Sequence, residues 1–417
     1  VFDQTNYCRN FHKAMRHLVS EVKEERIMTA SKNYSVVALA VFLSFWLVFT
    51  LKYSETTEGV IRNLINPSPR RTQKDHKVLF ILGPGRSGTS LLGDLFNSRK
   101  DFIYFFEPLK AIRTYHKIGE PTSIHQLQYM LQEVGEYMKD IVSCNYRSRN
   151  DKYINLVHSG GMFFSKMDFL HSPPFCAEGE RNCKKKNITS SMMNEMCDHL
   201  DEDVTIVIKD LYKNFPYFDP SLIQYVQLNK MKTFHVLQAL RDPRAILNSY
   251  RKLNWITDNV RKDVNRQAST AVPIFCGRLV HILKHFPKAP GSNKVKYAIF
   301  RYDDMAYHDI TSIARSLAEF LDVDLSDEFE NYLREKTQGE DDFKTASLSL
   351  APRNISLTIL NWRKEIPMDL LEQIESTESC QQLLQMLGYK MAENKEVLFD
   401  EHNVLVKEPL LLDVIGH

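Results

Sequence analysis

The sequence predicts an α/β fold in which a P-loop-like, mainly parallel central sheet is flanked by helices, with a single transmembrane helix near the N-terminus. Beyond residue 77, short apolar segments alternate with segments of helical periodicity, an order typical of parallel strands joined by helices. A glycine-rich loop at 83–90 follows the first apolar segment and leads into a helical pattern. A charge-free stretch at 34–51 supplies the predicted membrane span.

The composition is that of an ordered protein with a large core. The chain has 417 residues, of which 43% are hydrophobic and 25% are charged, and its formal net charge is +2. A chain of this length can bury a sizeable core, and its nearly balanced charge argues against a disordered tail protein. Because it also lacks the basic excess of nucleic-acid-binding domains, we expect no nucleic-acid partner.

The segment 34–51 is predicted to span a membrane once. It contains no charged residue and is bordered by Lys32 and Lys52, whose ammonium groups can reach the two interfaces. Its length is at the short end of what crosses a hydrocarbon core of about 30 Å. A buried core helix is the alternative, but the segment has no amphipathic pattern. Residues 1–33 are then a cytoplasmic tail, and residues 52–76 are a polar stem.

Features that follow this span favour a type II topology with residues 77–417 in the lumen. Charges flanking the span are too evenly distributed to decide its orientation. Glycosylation acceptor sequences begin at Asn187 and Asn354. An even number of cysteines, which suits an oxidising compartment, also follows the span, and the sequence does not choose their pairing: Cys144, Cys176, Cys183, Cys197, Cys276 and Cys380. We interpret the segment 144–200 as a disulfide-tied insertion.

The secondary structure is predicted from apolar runs and helical periodicity. The predicted strands are 77–82, 103–106, 204–208, 233–240 and 295–300. The predicted helices are 123–140, 243–253, 260–286, 310–321 and 379–387.

The loop GPGRSGTS at 83–90 is the strongest local signal for function. Successive backbone N–H groups before a helix N-terminus form an anion site, and glycines let the backbone approach the anion closely. The loop resembles a nucleotide-triphosphate P-loop, but Thr89 stands where that motif has lysine. Arg86 supplies the positive charge instead. A purely structural turn is the alternative. The candidate anion-binding residues are Arg86, Ser87, Gly88, Thr89 and Ser90.

A second candidate site is LRDPRAILNS at 240–249, which again follows a strand. Asp242 is a good helix N-cap and Pro243 a good first helical residue, so both have a structural explanation. Arg241, just before the N-terminus of the predicted helix, can hold a phosphate, although it also suits an ordinary surface position. Ser249 lies about two turns into the helix, on a face that can meet the same ligand. Together, the two loops suggest a ligand with anionic groups at two separated points.

Residues 77–390 resemble the Golgi carbohydrate sulfotransferases. GRSGTS and LRDPRAILNS are similar to the family's two binding signatures for PAPS (3'-phosphoadenosine 5'-phosphosulfate), and FEP at 106–108 is similar to a third motif. Weaker similarities are FRYDDM at 300–305, WR at 362–363 and LGY at 387–389. The group resembled sulfates the 6-hydroxyl of galactose, N-acetylgalactosamine or N-acetylglucosamine. The resemblance implies PAPS as co-substrate, no metal, a glycan or glycosaminoglycan acceptor, a Golgi membrane location, and allows a homodimer.

The resemblance also implies roles for individual residues. The loop from Arg86 to Ser90 matches the 5'-phosphosulfate site, and Arg241 and Ser249 match the 3'-phosphate contacts. Glu107 matches the general base that accepts the proton of the sugar hydroxyl. Arg86 would also stabilise negative charge on the leaving oxygen and so act in catalysis. The alternative for Glu107 is an exposed glutamate at a strand end.

Two further side chains stay open between functional and structural roles. Lys209, at the end of the predicted strand 204–208, is a candidate for charge stabilisation, although an ordinary solvated lysine fits equally well. Arg301 suits an ion pair with Asp303 or Asp304. At the level of function, the alternatives are a P-loop kinase or NTPase, and a catalytically inactive membrane glycan-binding protein on the same fold.

Overall fold

The computed structural model describes most of the chain beyond residue 75, with gaps. The described residues are 76–116, 124–147, 150–158, 166–177, 187–201, 203–215, 234–256, 267–285, 295–339, 352, 354–392, 395–400, 405–406 and 412–415. The predicted tail at 1–33, span at 34–51 and all of the stem except residue 76 lie outside them. None of the helices in the described residues is long and apolar enough to cross a membrane.

The described strands form one sheet with the order β2-β3-β1-β4-β5-β6. They are β1 (Lys77–Gly83), β2 (Phe102–Phe106), β3 (Thr205–Leu211), β4 (Phe234–Leu240), β5 (Val295–Arg301) and β6 (Leu412–Ile415). The strands β1 to β5 pair in parallel, and β6 pairs antiparallel with β5. The prediction of a mainly parallel central sheet is therefore confirmed.

Helices connect these strands and cover the sheet. They are α1 (Thr89–Asn97), α2 (Lys110–His116), α3 (Ile124–Val142), α4 (Asp151–His158), α5 (Ser190–His199), α6 (Pro243–Lys252), α7 (Ala268–His285), α8 (Ile310–Leu321), α9 (Asp327–Thr337), α10 (Ile355–Leu360), α11 (Trp362–Glu365), α12 (Met368–Ser376), α13 (Glu378–Met386) and α14 (Lys395–Phe399). Short 3-10 helices occupy 168–171, 212–214 and 302–306.

The central strands are apolar because both faces of the sheet are covered. From Val78 to Leu82 every residue of β1 is fully buried, and every residue of β3 and β4 is buried as well. A strand with one solvated face would alternate polar and apolar residues, whereas a strand covered on both sides reads as a continuous apolar run. This is why β1 is recognisable in the sequence.

The structure changes several predicted boundaries. The strand predicted at 204–208 continues to Leu211, so Lys209 lies inside β3 and not after it. The helix predicted at 260–286 is described from Ala268 to His285, and residues 257–266 lie outside the described residues. Within the segment 144–200, where few periodic signals were found, the described residues include the helices α4 and α5.

The described cysteines are all disulfide-bonded, as the sequence predicted for an oxidising environment. Cys144 pairs with Cys197, which joins the two ends of the segment 144–200. Cys276 on α7 pairs with Cys380 on α13. Cys176 is also disulfide-bonded, to a partner outside the described residues.

The sheet topology determines which loops lie near one another. In β1 to β5 the strands run in the same direction, so their carboxyl ends meet at one edge of the sheet, where ligands of α/β proteins bind. At this edge lie the glycine-rich loop after β1, Glu107 after β2, and Arg241 after β4. The candidate residues of both sequence motifs therefore converge at this edge.

Candidate active site

The glycine-rich loop turns sharply from β1 into α1. Gly88 has a φ of 88° and is the N-cap of α1. Its carbonyl accepts hydrogen bonds from the backbone N–H groups of Leu91 at 3.0 Å and Leu92 at 3.2 Å. A Cβ atom at this position would lie 2.2 Å from the ring of Tyr302. Gly88 is therefore required both by the left-handed backbone and by the close approach of an aromatic ring.

Arg86 connects this loop to the second motif. It has a φ of 71°, and its Nε donates a hydrogen bond to Ser249 Oγ at 2.9 Å. Nη1 of Arg241 donates to the carbonyl of Arg86 at 3.5 Å. Arg86 thus contacts a residue at each end of the second motif. The two motifs therefore form one continuous site.

The hydroxyl-bearing residues of the loop differ in their surroundings. Ser87 is fully buried, and its hydroxyl donates to the carbonyl of Pro84 at 2.8 Å, which closes the turn. Thr89 is 3% exposed, whereas Ser90 is partly exposed at the start of α1. The Ser87 side chain thus stabilises the loop conformation.

Arg241 is held at the edge of the sheet by three contacts in addition to that with Arg86. Its Nη2 donates to the carbonyl of Thr358 at 3.1 Å, and its guanidinium lies 5.2 Å from the centre of the Tyr302 ring. Nε of Arg241 is 3.6 Å from a carboxylate oxygen of Asp303, beyond hydrogen-bond distance, and this buried N–H has no hydrogen-bond acceptor among the described residues. A buried donor without an acceptor suits a ligand atom.

Asp303 is the carboxylate that orients this part of the site. It accepts hydrogen bonds from the hydroxyl of Tyr389 at 2.5 Å and from the backbone N–H of Asp242 at 2.7 Å. Burial raises the pKa of Asp303, against the opposing charge of Arg241. Arg301 instead pairs with Asp304 through two contacts of 2.8 Å, which decides between the two partners considered for it.

The start of α6 confirms the predicted cap. Asp242 is the N-cap, its carboxylate accepts from the backbone N–H of Arg244 at 2.9 Å, and Pro243 is the first helical residue. Arg244, which the sequence did not single out, is fully buried. Its guanidinium pairs with Asp242 at 2.7 Å and with Glu375 at 2.6 Å, so it anchors α6 to α12.

Glu107 forms a buried ion pair with Lys209. Nζ of Lys209 donates to Glu107 Oε1 at 2.6 Å, and the backbone N–H of Glu107 donates to the carbonyl of Lys209 at 2.7 Å. Glu107 is 8% exposed and Lys209 is 1% exposed. The alternatives of an exposed glutamate and a solvated lysine are therefore wrong. The β2–β3 register, which pairs Phe106 with Lys209, explains why the two residues meet.

The charge state of Glu107 follows from its surroundings. Burial raises the pKa of this carboxyl, but Lys209 lowers it through its charge and its hydrogen bond, and Lys213 and Lys110 lower it further. The pKa of Glu107 consequently lies below its ordinary value. Glu107 is ionised at neutral pH and able to accept a proton.

Asp210 and Lys213 extend this cluster and were not recognised in the sequence. Asp210 accepts from the backbone N–H of Leu109 at 2.9 Å and from Asn214 Nδ2 at 2.6 Å. Burial, with a further contribution from Glu107, raises the pKa of Asp210 to about 7. The only sequence signal was that KDLYK at 209–213 directly follows the predicted strand 204–208. The position of this strand between β1 and β2 is known from the structure alone.

Lys213 lies between Glu107 and the glycine-rich loop. Its charge lowers the pKa of Glu107, and its Nζ lies 4.5 Å from the centre of the Trp255 ring. That ring is in turn 3.2 Å from where a Cβ of Gly85 would stand. Burial lowers the pKa of Lys213, because an ammonium is poorly solvated there.

The arrangement has the parts needed for base-assisted transfer of an anionic group. It combines a glycine-rich loop that contains Arg86, the neighbouring Arg241 that contacts this loop, and an ionised carboxylate at the same sheet edge. In the described residues, no three His, Cys, Asp or Glu side chains are placed to hold a metal ion.

Comparisons with known proteins agree with this chemistry. The sequence profile of the family described as "Sulfotransferase domain" matches residues 76–388. Carbohydrate sulfotransferase 1 of Mus musculus is 26% identical over 385 residues, covering 85% of this chain and 89% of its own length. Carbohydrate sulfotransferase 5 of Homo sapiens is 24% identical, covering 82% and 85%. Carbohydrate sulfotransferase 3 of Mus musculus is 21% identical, covering 82% and 74%.

Proposed function

Because the chain belongs to the sulfotransferase domain family, we propose that it transfers a sulfuryl group from PAPS to a hydroxyl of a carbohydrate. The observation that carries this proposal is that the candidate anion-binding residues and the candidate general base lie at the same edge of the sheet. Arg86, in the glycine-rich loop, contacts both Arg241 and Ser249. The ionised Glu107 follows β2, which is separated from β1 by one strand of the same sheet.

The residues present suit the 5'-phosphosulfate and the 3'-phosphate of PAPS. The backbone N–H groups of the loop and the N-terminus of α1 favour an anion, and Arg86 adds a positive charge beside them. Arg241 offers a buried Nε that has no hydrogen-bond acceptor within the described part of the chain, and the hydroxyl of Ser249 lies next to Arg86. We assign the 5'-phosphosulfate to Arg86, Ser87, Gly88, Thr89 and Ser90, and the 3'-phosphate to Arg241 and Ser249.

In the proposed mechanism, Glu107 is the general base. A sugar hydroxyl is a poor nucleophile, and an ionised carboxylate within reach can accept its proton as the oxygen attacks. Lys209 holds Oε1 of Glu107 at 2.6 Å, which leaves Oε2 to receive the proton. PAPS, when bound, supplies the sulfuryl group and a nucleotide bisphosphate leaving group.

Arg86 and the loop stabilise the charge that develops during transfer. Negative charge increases on the leaving oxygen, and donors already aimed at that position need no reorganisation. The hydrogen bond to Ser249 fixes the Arg86 side chain, and the turn is closed by Ser87. Both contacts reduce the freedom that a charged loop would otherwise have.

The acceptor is proposed from the relatives. The three relatives named above are carbohydrate sulfotransferases, which supports a sugar hydroxyl as the nucleophile. We propose the 6-hydroxyl of galactose, N-acetylgalactosamine or N-acetylglucosamine in a glycan or glycosaminoglycan. With the predicted span at 34–51, the protein would be a type II Golgi membrane protein with a lumenal catalytic domain, and a homodimer is compatible with it.

Nucleotide binding and sulfuryl transfer test the proposal directly. We expect the full-length protein in detergent to bind immobilised 3',5'-ADP without magnesium, and to transfer label from PAPS to chondroitin, keratan or N-acetylglucosamine-terminated acceptors. Preference for ATP with magnesium would indicate a kinase or NTPase instead. Binding of glycan without binding of either nucleotide would indicate an inactive glycan-binding protein.

A further inference from the structure

Exposed aromatic side chains cluster on the helices that follow Glu107. Tyr115 and His116 lie at the end of α2, Tyr129 lies on α3, and Lys152 and Tyr153 lie on α4. We call these five residues the tyrosine surface; Tyr153 is fully buried beneath the others. Tyr115 is 49% exposed and Tyr129 is 43% exposed. Large exposed aromatic side chains grouped in this way mark binding surfaces more often than isolated ones do.

The rings of the tyrosine surface are held in fixed positions by contacts with one another. His116 meets Tyr129 at 5.2 Å and 88°, and Tyr115 meets Tyr153 at 5.6 Å and 86°. A perpendicular contact uses the edge of one ring and one face of the other. Tyr115 also meets His116 at 5.0 Å and 80°. These contacts orient the Tyr115 and Tyr129 rings before any ligand arrives, and both side chains remain exposed.

Polar groups lie between the rings and nearly balance in charge. Nζ of Lys152 is 5.0 Å from the centre of the Tyr115 ring and 3.3 Å from a carboxylate oxygen of Glu133. His116 Nε2 is 2.7 Å from the hydroxyl of Tyr153. Burial, then the charge of Lys152, lowers the pKa of His116, so this ring is neutral at pH 7.

This combination fits a sugar better than a polyanion or a membrane. The C–H face of a pyranose packs on an aromatic ring, and its hydroxyl groups need both donors and acceptors at the ring edges. The tyrosine surface offers rings together with an ammonium, an imidazole and phenol groups, and the adjoining Glu133 adds a carboxylate. A polyanion site would need an excess of positive charge, and a membrane-binding face would need a broad apolar area beside basic residues.

The tyrosine surface is connected to Glu107 by a single short helix. The backbone N–H of Lys110, the first residue of α2, donates to the carbonyl of Glu107 at 3.1 Å. Tyr115 and His116 are the last residues of α2. At 1.5 Å per residue, α2 places them about 9 Å along the helix from Lys110. A glycan with its hydroxyl at Glu107 needs only a few more sugar units to reach this surface.

We propose that the tyrosine surface is a second acceptor subsite, which binds uncharged sugar units of the glycan chain away from the unit that is sulfated. The proposal rests on the proposed function, because it takes Glu107 as the base and a carbohydrate as the acceptor. It adds that the enzyme distinguishes long from short acceptors.

The test is a comparison of long and short acceptors in the full-length protein. The variants are Tyr115→Ala and Tyr129→Ala, with Tyr115→Phe and Tyr129→Phe as ring-preserving counterparts. With a desulfated keratan polymer, we expect each alanine variant to raise the acceptor KM roughly tenfold, as for a central aromatic contact, with an unchanged KM for PAPS. The phenylalanine variants should stay near wild type. With an N-acetylglucosamine-terminated disaccharide, all variants should equal wild type.

A matched control and a binding assay distinguish a failure of the subsite from a failure of the proposed function. Phe399→Ala removes another aromatic side chain, 42% exposed, and should leave both acceptors unaffected. Binding of the desulfated polymer is measured by calorimetry without PAPS. Transfer with unchanged KM and unchanged polymer binding in both alanine variants overturns the subsite and leaves the proposed function intact. Polymer binding that is lost in the alanine variants, in a protein that transfers nothing, supports the subsite and overturns the proposed function.

Discussion

The carboxylate of Asp210 accepts a hydrogen bond from the backbone N–H of Leu109 at 2.9 Å, two residues beyond Glu107. Glu107 itself has a φ of 48°, a left-handed conformation that few non-glycine residues adopt without support. Its backbone N–H is bound by the carbonyl of Lys209. Two consecutive residues of β3 thus hold both sides of the turn that presents the proposed base.

The Asp210→Asn variant tests whether this clamp positions Glu107. An asparagine can still accept from Asn214, but its amide group would face the N–H of Leu109 and leave it without an acceptor. We expect a loss of about 1–3 kcal/mol in the free energy of unfolding, the usual cost of an unsatisfied buried donor. We also expect a lower kcat with little change in the KM for PAPS. An unchanged kcat would show that the clamp does not affect the base.

The same variant should remove a pH dependence of stability. The pKa of Asp210 is raised from 3.8 to about 7 in the folded protein, so between these values the folded state binds a proton that the unfolded chain releases. The free energy of unfolding should therefore fall as pH rises through this range. Urea unfolding at several pH values should show a shallower slope in Asp210→Asn. Equal slopes would contradict the raised pKa.

Gly88→Ala should prevent the glycine-rich loop from binding nucleotide, although the substitution adds only one methyl group. The new Cβ would lie 2.2 Å from the Tyr302 ring, and the φ of 88° is strained for any residue with a side chain. We expect a loss of nucleotide binding, measured by calorimetry with 3',5'-ADP. Gly277→Ala is the matched control, because its Cβ would meet the nearest atom at 3.9 Å inside α7. Binding that survives Gly88→Ala would exclude this loop from the nucleotide site.

Arg86→Ala should reduce transfer strongly without unfolding the protein. Removing one preorganised group that stabilises developing charge typically costs about 100- to 1,000-fold in rate. Arg86 is only partly buried, so its side chain contributes little to packing. Activity, nucleotide affinity and thermal unfolding are measured together. Arg334→Ala, which removes an exposed arginine paired with Glu330 at 2.7 Å, is the control. Unchanged turnover and affinity would remove Arg86 from the site.

The central fold could be read from the sequence because its physical signals are local. The run at 77–82 is continuous and apolar because β1 is covered on both sides, and Asp242 and Pro243 are the residues that begin a helix well. The helix 310–321 was predicted with the bounds that the structure has. In contrast, β6 pairs with β5 across more than a hundred residues of chain, and a short edge strand has no periodicity that identifies it.

The site was only partly predictable because its key contacts are long-range. Glu107 and Arg86 could be singled out from motifs, but their burial and partners depend on the register between strands. Lys209 meets Glu107 only because β2 and β3 are neighbours in the sheet, although the strands are separated by about a hundred residues. Asp210 follows on β3, and Lys213 lies on the short 3-10 helix after it. A carboxylate or lysine near a strand end does not by itself indicate such a cluster.

Lys209→Met and Glu107→Gln together test the identity of the general base. Burial raises the pKa of Glu107 and Lys209 lowers it. A base works deprotonated, so activity should persist above this pKa and be lost as pH falls through it. Removing the Lys209 charge leaves burial opposed only by Lys213 and Lys110. The acid limb of kcat should therefore move to higher pH in Lys209→Met.

Glu107→Gln completes this test because the amide keeps the size of the carboxylate but cannot accept the proton. Turnover should fall by about 100-fold or more, the usual contribution of a positioned base. Affinity for 3',5'-ADP should remain, since the proposed nucleotide contacts lie on the other two loops. Rates are measured from pH 4 to 8 with saturating acceptor. An acid limb that stays in place in Lys209→Met, together with near-normal turnover in Glu107→Gln, would show that Glu107 and Lys209 form a structural ion pair and that another group accepts the proton.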